Sequence, residues 1–165
     1  MDASGYKLLR MDSQFLEEAI RLAVENVRKG VGGPFGAVIV QRGRVIGRGT
    51  NLVTSTNDPT AHAEIVAIRQ ACQALGDFQL TDSEIYTSCE PCPMCAGAIY
   101  WCRPARVYFA AGREDASRAG FDDSFIYSDL AVPPEKRTVP FLKVTVPDFL
   151  LPFREWESKS GNARY

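Results

Sequence analysis

The chain carries one histidine, in Thr60-Ala61-His62-Ala63-Glu64, and a closely spaced cysteine pair further on, in Pro91-Cys92-Pro93-Met94-Cys95. A neutral imidazole and two thiolates make three zinc ligands. Three protein ligands leave the fourth tetrahedral position open for water, as a catalytic zinc site requires and a closed structural site does not. Glu64, two residues past His62, is the candidate general base for that water. Each residue type also has a plainer use. A lone histidine is commonly an ordinary core or surface residue, and a Cys-x-x-Cys pair is also a redox motif or half of a four-cysteine zinc site. The remaining cysteines weaken those readings. Cys72 and Cys102 fit small core positions. Cys89, three residues before Cys92, is an alternative ligand, but its place at a strand end favours a buried thiol beside the site.

The elements around these residues decide whether they meet. Cys92 and Cys95 are three apart and share one helix face, and Pro91 and Pro93 fix Cys92 at the helix start. His62 and Glu64 are two apart, so both can face one site only in a first turn. A site between two helix N-termini follows. The partial positive charge there favours the thiolate forms that a metal needs.

The apolar spacing of Phe15, Leu16, Ala19, Ile20, Ala23, Val24 and Val27 predicts a first helix opening at Asp12 or Ser13, after a loose arm over residues 1–11, and ending near Gly30. Phe35 to Gln41 and Arg44 to Thr50 read as strands joined by a tight turn at Arg42-Gly43. Val53 to Pro59 reads as a loop. Asp58-Pro59-Thr60 offers cap chemistry for a helix bearing Ile65, Ile68, Ala71, Cys72 and Leu75 and ending near Gly76. A strand over Glu84–Ser88, a helix over Cys92–Trp101 and a strand over Arg106–Ala111 follow. Beyond a less regular stretch, Phe141 to Val146 reads as a last strand, Phe149 to Ser158 as a short helix and Lys159 to Tyr165 as a tail. Alternating strands and helices indicate a layered α/β domain.

The 165 residues suit one domain with a sizeable core. The 19 Lys and Arg are scattered among 20 Asp and Glu, for a net charge of -1, which excludes an electrostatic match to nucleic acid. No apolar run approaches a membrane span, and residues 1–10 hold no signal-peptide core. Five free-standing cysteines fit a reducing compartment, and a cytoplasmic location is expected.

His-x-Glu followed by Pro-Cys-x-x-Cys resembles the signature of the zinc nucleobase deaminases. The likeness extends through Gly32-Gly33-Pro34-Phe35-Gly36-Ala37-Val38, Asn57-Asp58-Pro59-Thr60, Thr87-Ser88-Cys89-Glu90 and Gly120-Phe121-Asp122-Asp123-Ser124-Phe125-Ile126-Tyr127. From about the first helix to Tyr165 the chain is similar to the bacterial guanine deaminases of the cytidine-deaminase superfamily. That resemblance implies a three-layer α/β/α fold with a mixed five-stranded sheet between helices. It implies one Zn2+ per subunit, held by His62, Cys92 and Cys95, with Glu64 as proton shuttle. It further implies purine contacts from Asn51 and the backbone of Ala63, apolar walls from Phe35 and Trp101, and Asp123 as the carboxylate that reads the base edge. It places residues 147–165 in a C-terminal helix and tail exchanged between the subunits of a homodimer, with Tyr165 closing the partner's site. Plainer roles exist for these residues too. Phe35 and Trp101 suit core aromatics, Asn51 a turn, and Asp122 or Asp123 a cap for a helix over Ser124–Leu130.

The implied reaction is hydrolytic deamination of guanine to xanthine and ammonia, in purine breakdown or salvage. Its rivals are deamination of guanosine, or of another aminopurine or a triazine. A tRNA adenosine deaminase shares the metal motif, but the charge balance opposes it. A non-catalytic zinc-stabilised interaction domain is the reading from another class, and Glu64 opposes it, because a structural site needs no carboxylate beside the metal.

Overall fold

A computed structural model describes residues 12–163. The loose arm over residues 1–11 lies outside them. The chain divides into two compact units, residues 1–123 and 124–165.

In the first unit Asp12 caps helix α1 (Ser13–Arg28), its carboxylate accepting the Gln14 N–H at 3.2 Å. Strands β1 (Gly36–Gln41) and β2 (Arg44–Thr50) form a hairpin. Its turn residues Arg42 and Gly43 both have positive φ, 50° and 74°, the primed geometry that suits strand twist. One turn of helix, α2 (Val53–Thr56), occupies part of the expected loop. Helix α3 (Ala63–Leu75), strand β3 (Ser83–Cys89), helix α4 (Pro93–Cys102), strand β4 (Arg106–Ala111) and helix α5 (Arg113–Arg118) complete the unit. The strand order is β2-β1-β3-β4. β1 pairs antiparallel with both neighbours, and β3 pairs parallel with β4 across the α4 connection.

Strand periodicity sends alternate side chains to opposite faces. Ala37, Ile39 and Ile85 pack with α3 and Cys102 on one face. Val38, Val40 and Tyr86 pack with Phe15 and Ala19 of α1 on the other. Helices therefore cover both faces, giving the expected three layers.

The expected fifth strand is a correction. Phe141–Val146 carries no ladder, and the sheet has four strands among the described residues. The segment has strand-type residues, but a strand exists only where a neighbour takes its N–H and C=O groups. The second unit holds α6 (Ser124–Leu130), a 3-10 turn (Pro134–Lys136) and α7 (Leu151–Ser158), and none of its described residues is buried. Among the described residues, no helix is long and apolar enough to cross a membrane.

Gly49 sets how near α3 lies to β2. A methyl group there would overlap the Ala63 carbonyl oxygen, and one at Gly47 would lie 2.5 Å from the Ala67 carbonyl oxygen. With no side chain on the strand and only alanines facing it, backbone touches backbone. Gly49→Ala should destabilise the protein by about 1–3 kcal/mol or more and displace the start of α3. A urea midpoint unchanged from wild type would count against this.

Candidate active site

The structure brings the two helix mouths together. His62 is the N-cap of α3 and Cys92 the N-cap of α4, with Cys95 in the first turn of α4. The His62 side chain makes no cap bond to its own helix. This corrects the expected cap at Asp58–Thr60. Asp58 Oδ1 instead accepts the Thr60 N–H at 2.8 Å and its hydroxyl at 2.7 Å, folding the turn that delivers His62. Arg69 of α3 adds an ion pair to Asp58 at 3.7 Å. A capping Ser or Asp would spend its oxygen on the helix; His62 keeps its ring for the site.

His62 Nδ1 lies 3.5 Å from both the Cys92 and Cys95 sulfurs. All three candidate ligand atoms fall within 4.8 Å of one another, and among the described residues no other group of three could hold a metal ion. One imidazole and two thiols are the donor set zinc prefers, with a fourth position to spare. Cys89 is not part of the set. Its thiol donates to the Gly112 carbonyl at 3.7 Å, and burial pushes it up to about 11. Cys72 and Cys102 pack into the α3 side of the core.

Glu64 is buried beside this trio. Its Oε2 accepts from the Cys95 thiol at 3.4 Å, and its Oε1 accepts from the Thr87 hydroxyl at 3.4 Å. Burial, the largest influence, holds its carboxyl above the usual carboxylate range. In the cysteine pair, hydrogen bonds from Cys95 and then His62 hold Cys92 down to about 4 against its burial. Cys95, bonded to the Cys92 sulfur and buried, is pushed far up. The Cys92 sulfur in turn raises His62.

The remaining candidates divide. Asn51 is buried at the end of β2, where its Oδ1 accepts the Gly33 and Val53 N–H groups, each at 3.3 Å. Two N–H donors identify that atom as the oxygen, so the NH2 is what the side chain can offer a ligand. Asn51 is therefore a turn residue as well. Ala63 is fully buried at the first position of α3, where backbone N–H groups have no partner within the helix. Half-buried Phe35 meets Phe121 edge to face, ring centroids 5.0 Å apart. Asp123 is half-buried, whereas Asp122 is exposed. Burial and then the Cys92 charge hold the Asp123 carboxyl above the usual carboxylate range. Trp101 lies on α4. It sits six residues past Cys95, about 9 Å further along α4, and is 61% exposed. Tyr165 lies outside the described residues.

Two contributors escaped the sequence reading. Asn26 of α1 is buried and donates to the Gly33 carbonyl at 3.0 Å and the Asn51 carbonyl at 2.8 Å, tying the Gly32–Phe35 loop to the end of β2. A polar residue on an otherwise apolar helix stripe is the signal that could have found it. Thr87 left no comparable signal.

The family model for the cytidine and deoxycytidylate deaminase zinc-binding region matches residues 9–111. The chain belongs to that family. It is 56% identical over 151 residues to a guanine deaminase of Bacillus subtilis, covering 92% of this chain and 97% of that protein. The crystal structure of a guanine deaminase from Bacillus subtilis superposes with a TM-score of 0.91 at 54% identity, over 94% of this chain and 99% of that one. A guanine deaminase from Nitrosomonas europaea is more distant, at 33% identity and a TM-score of 0.65, over 70% of this chain and 66% of that one. A tRNA-specific adenosine deaminase of Bacillus subtilis is 41% identical over 62% of this chain and 63% of that protein. Zinc is the metal of the family, and the His-Cys-Cys donor set fits it.

Because Cys95 holds its proton near neutrality and His62 is raised, a metal must displace protons to bind. Zinc affinity should fall as pH falls, about tenfold per unit for each proton displaced. The slope should steepen below the raised pKa of His62. Competition against a chelator between about pH 8 and about pH 6 measures this, and a flat profile would exclude it.

Proposed function

We propose that this chain is a zinc-dependent hydrolase converting guanine and water to xanthine and ammonia. The observation that carries the reading is Glu64, a buried carboxyl whose Oε2 lies 3.4 Å from a cysteine of the His62-Cys92-Cys95 trio. A structural zinc site has no use for an acid held there. His62, Cys92 and Cys95 would hold one zinc per subunit, which when bound makes a water acidic enough to act as nucleophile near neutral pH.

Glu64 takes the proton from that water as it adds to C2 of guanine, the carbon bearing the exocyclic amine. The same carboxyl passes that proton to a ring nitrogen, then takes the remaining proton from the hydroxyl now on C2 and gives it to the amine, which leaves as ammonia as the C2 carbonyl forms. A carboxyl kept above its ordinary range by burial suits both directions of transfer. Asp123 accepts hydrogen bonds from the guanine N–H groups. Its half-buried position near Cys92 favours it over exposed Asp122 for this role. Adenine presents an acceptor at N1 where guanine presents a donor, so an ionised Asp123 rejects it. A site built on such polar contacts discriminates strongly. The Asn51 NH2 and the Ala63 N–H supply donors to the purine. Phe35 forms one apolar wall, and Trp101, exposed on α4, the other.

We take residues 1–165 as one deaminase domain completed in a homodimer, with no nucleic-acid or membrane partner, acting in cytoplasmic purine breakdown or salvage. The support is the second unit, where Phe141, Leu142, Val144 and Phe153 are each more than half exposed and no described residue is buried. So much uncovered apolar surface calls for a partner. A second copy whose residues 147–165 exchange with these would cover it and bring Tyr165 to the partner's pocket.

Ammonia release over guanine, guanosine, adenine, cytosine and a triazine tests the substrate. Guanine should be fastest. Glu64→Ala should retain zinc and lose at least about 100-fold in kcat. Asp123→Asn should lose about 10-fold or more on guanine with little change in thermal midpoint. Faster release from adenine or cytosine would overturn the assignment. For the tail, deleting residues 163–165 should leave a folded, zinc-loaded dimer with impaired turnover. A fully active truncation, or an active monomer by sedimentation, would rule out the exchange.

A further inference from the structure

We propose that the Thr87 hydroxyl is the positioning group for Glu64, fixing one carboxyl oxygen so that the other stays aimed at the metal ligands. The inference rests on Glu64 being the group that carries protons in the reaction. The two oxygens of Glu64 have different neighbours. Oε2 meets the Cys95 thiol at 3.4 Å, on the side of the metal ligands. Oε1 meets Thr87 Oγ1 at 3.4 Å, on the side of the sheet. Thr87 is 1% exposed, so water does not substitute for its hydroxyl.

Thr87 Oγ1 has a second partner, the Cys89 carbonyl oxygen at 3.1 Å. A hydroxyl owns one proton and two lone pairs. It can donate to Glu64 Oε1 or to the Cys89 carbonyl by rotation of a single O–H, so it holds the Glu64 tip without any heavy atom moving.

The mounting is rigid. Thr87 lies on β3, an interior strand, paired with Ala37 of β1 on one side and Phe109 of β4 on the other. Its branched Cβ leaves few rotamers. Glu64, in contrast, reaches the site through three side-chain torsions from the first turn of a helix, and needs an external restraint at its tip.

The experiment compares Thr87→Val, Thr87→Ala and Thr87→Ser in the full-length, zinc-loaded protein. Steady-state ammonia release from guanine, zinc content and thermal midpoint are the readouts. Valine keeps the volume and removes the hydroxyl; serine keeps the hydroxyl and removes the methyl. Loss of a hydrogen bond to an ionised group predicts roughly a 10- to 100-fold drop in kcat for Val, with KM and zinc content within about twofold. Serine should return to within about threefold of wild type. If Val does not fold, Ala makes the same comparison. Val and Ala with near-normal kcat overturn the proposal, as does a Ser variant impaired as much as Val, or a loss of kcat that tracks loss of zinc. If the wild type releases ammonia only from another base, the guanine assignment fails, and the same ratios read on that base decide the role of Thr87. A wild type inactive on every base overturns both.

Discussion

Contact between helix backbone and strand backbone, permitted by glycine on the strand and alanine on the helix, is the constraint on which the rest of this structure depends. Gly47 and Gly49 of β2 lie against Ala67 and Ala63 of α3, and Gly36 of β1 lies against Ala19 and Ala23 of α1. Side chains of ordinary size would hold these layers further apart. With them absent, the first turn of α3 descends onto the sheet, and His62 and Glu64 descend with it. Ala63 therefore has two tasks: its small side chain packs into the core, and its backbone sits at the mouth of the site.

Two helix N-termini then face each other, and the electrostatics follow from their geometry. Each contributes partial positive charge from unpaired N–H groups. Into that field the chain places two thiols, an imidazole and a buried carboxyl. The cap positions, occupied in most helices by residues that serve the helix, belong in this protein to His62 and Cys92. Helix α3 loses a side-chain cap at its start, and the site gains two ligands at fixed backbone positions. Asp58, Thr60 and Arg69 take over the work of ordering the turn before α3. Asn26 does the same for the Gly32–Phe35 loop, connecting α1 to the end of β2 from inside the protein.

The C-terminal 42 residues obey different physics. Among their described residues the helices are short, Phe141–Val146 pairs with no strand, and the apolar residues other than half-buried Ile126 are exposed rather than gathered into a core. Val144 and Leu142 are of strand type, but strand formation depends on a partner edge and not on propensity alone.

Much of the first unit was legible in the sequence. β2 and β4 have the bounds that alternation and turn residues predict, and α1 opens at the expected cap. Local rules suffice there because the signal, apolar period plus a terminator, is itself local. The metal trio was legible for the same reason: residue type and spacing restrict where a helix can present His62, Cys92 and Cys95. Sequence alone could not decide which residue caps α3, because Asp58 and His62 compete and only the packed turn shows that the aspartate serves the loop. It could not reveal Asn26 or Thr87, whose partners Asn51 and Glu64 lie 25 and 23 residues away in the chain. It counted a fifth strand that needs a neighbour to exist. Spacing along the chain fixed what the residues can do chemically; proximity across the sheet, created by the glycine–alanine contacts, decided which of them act together.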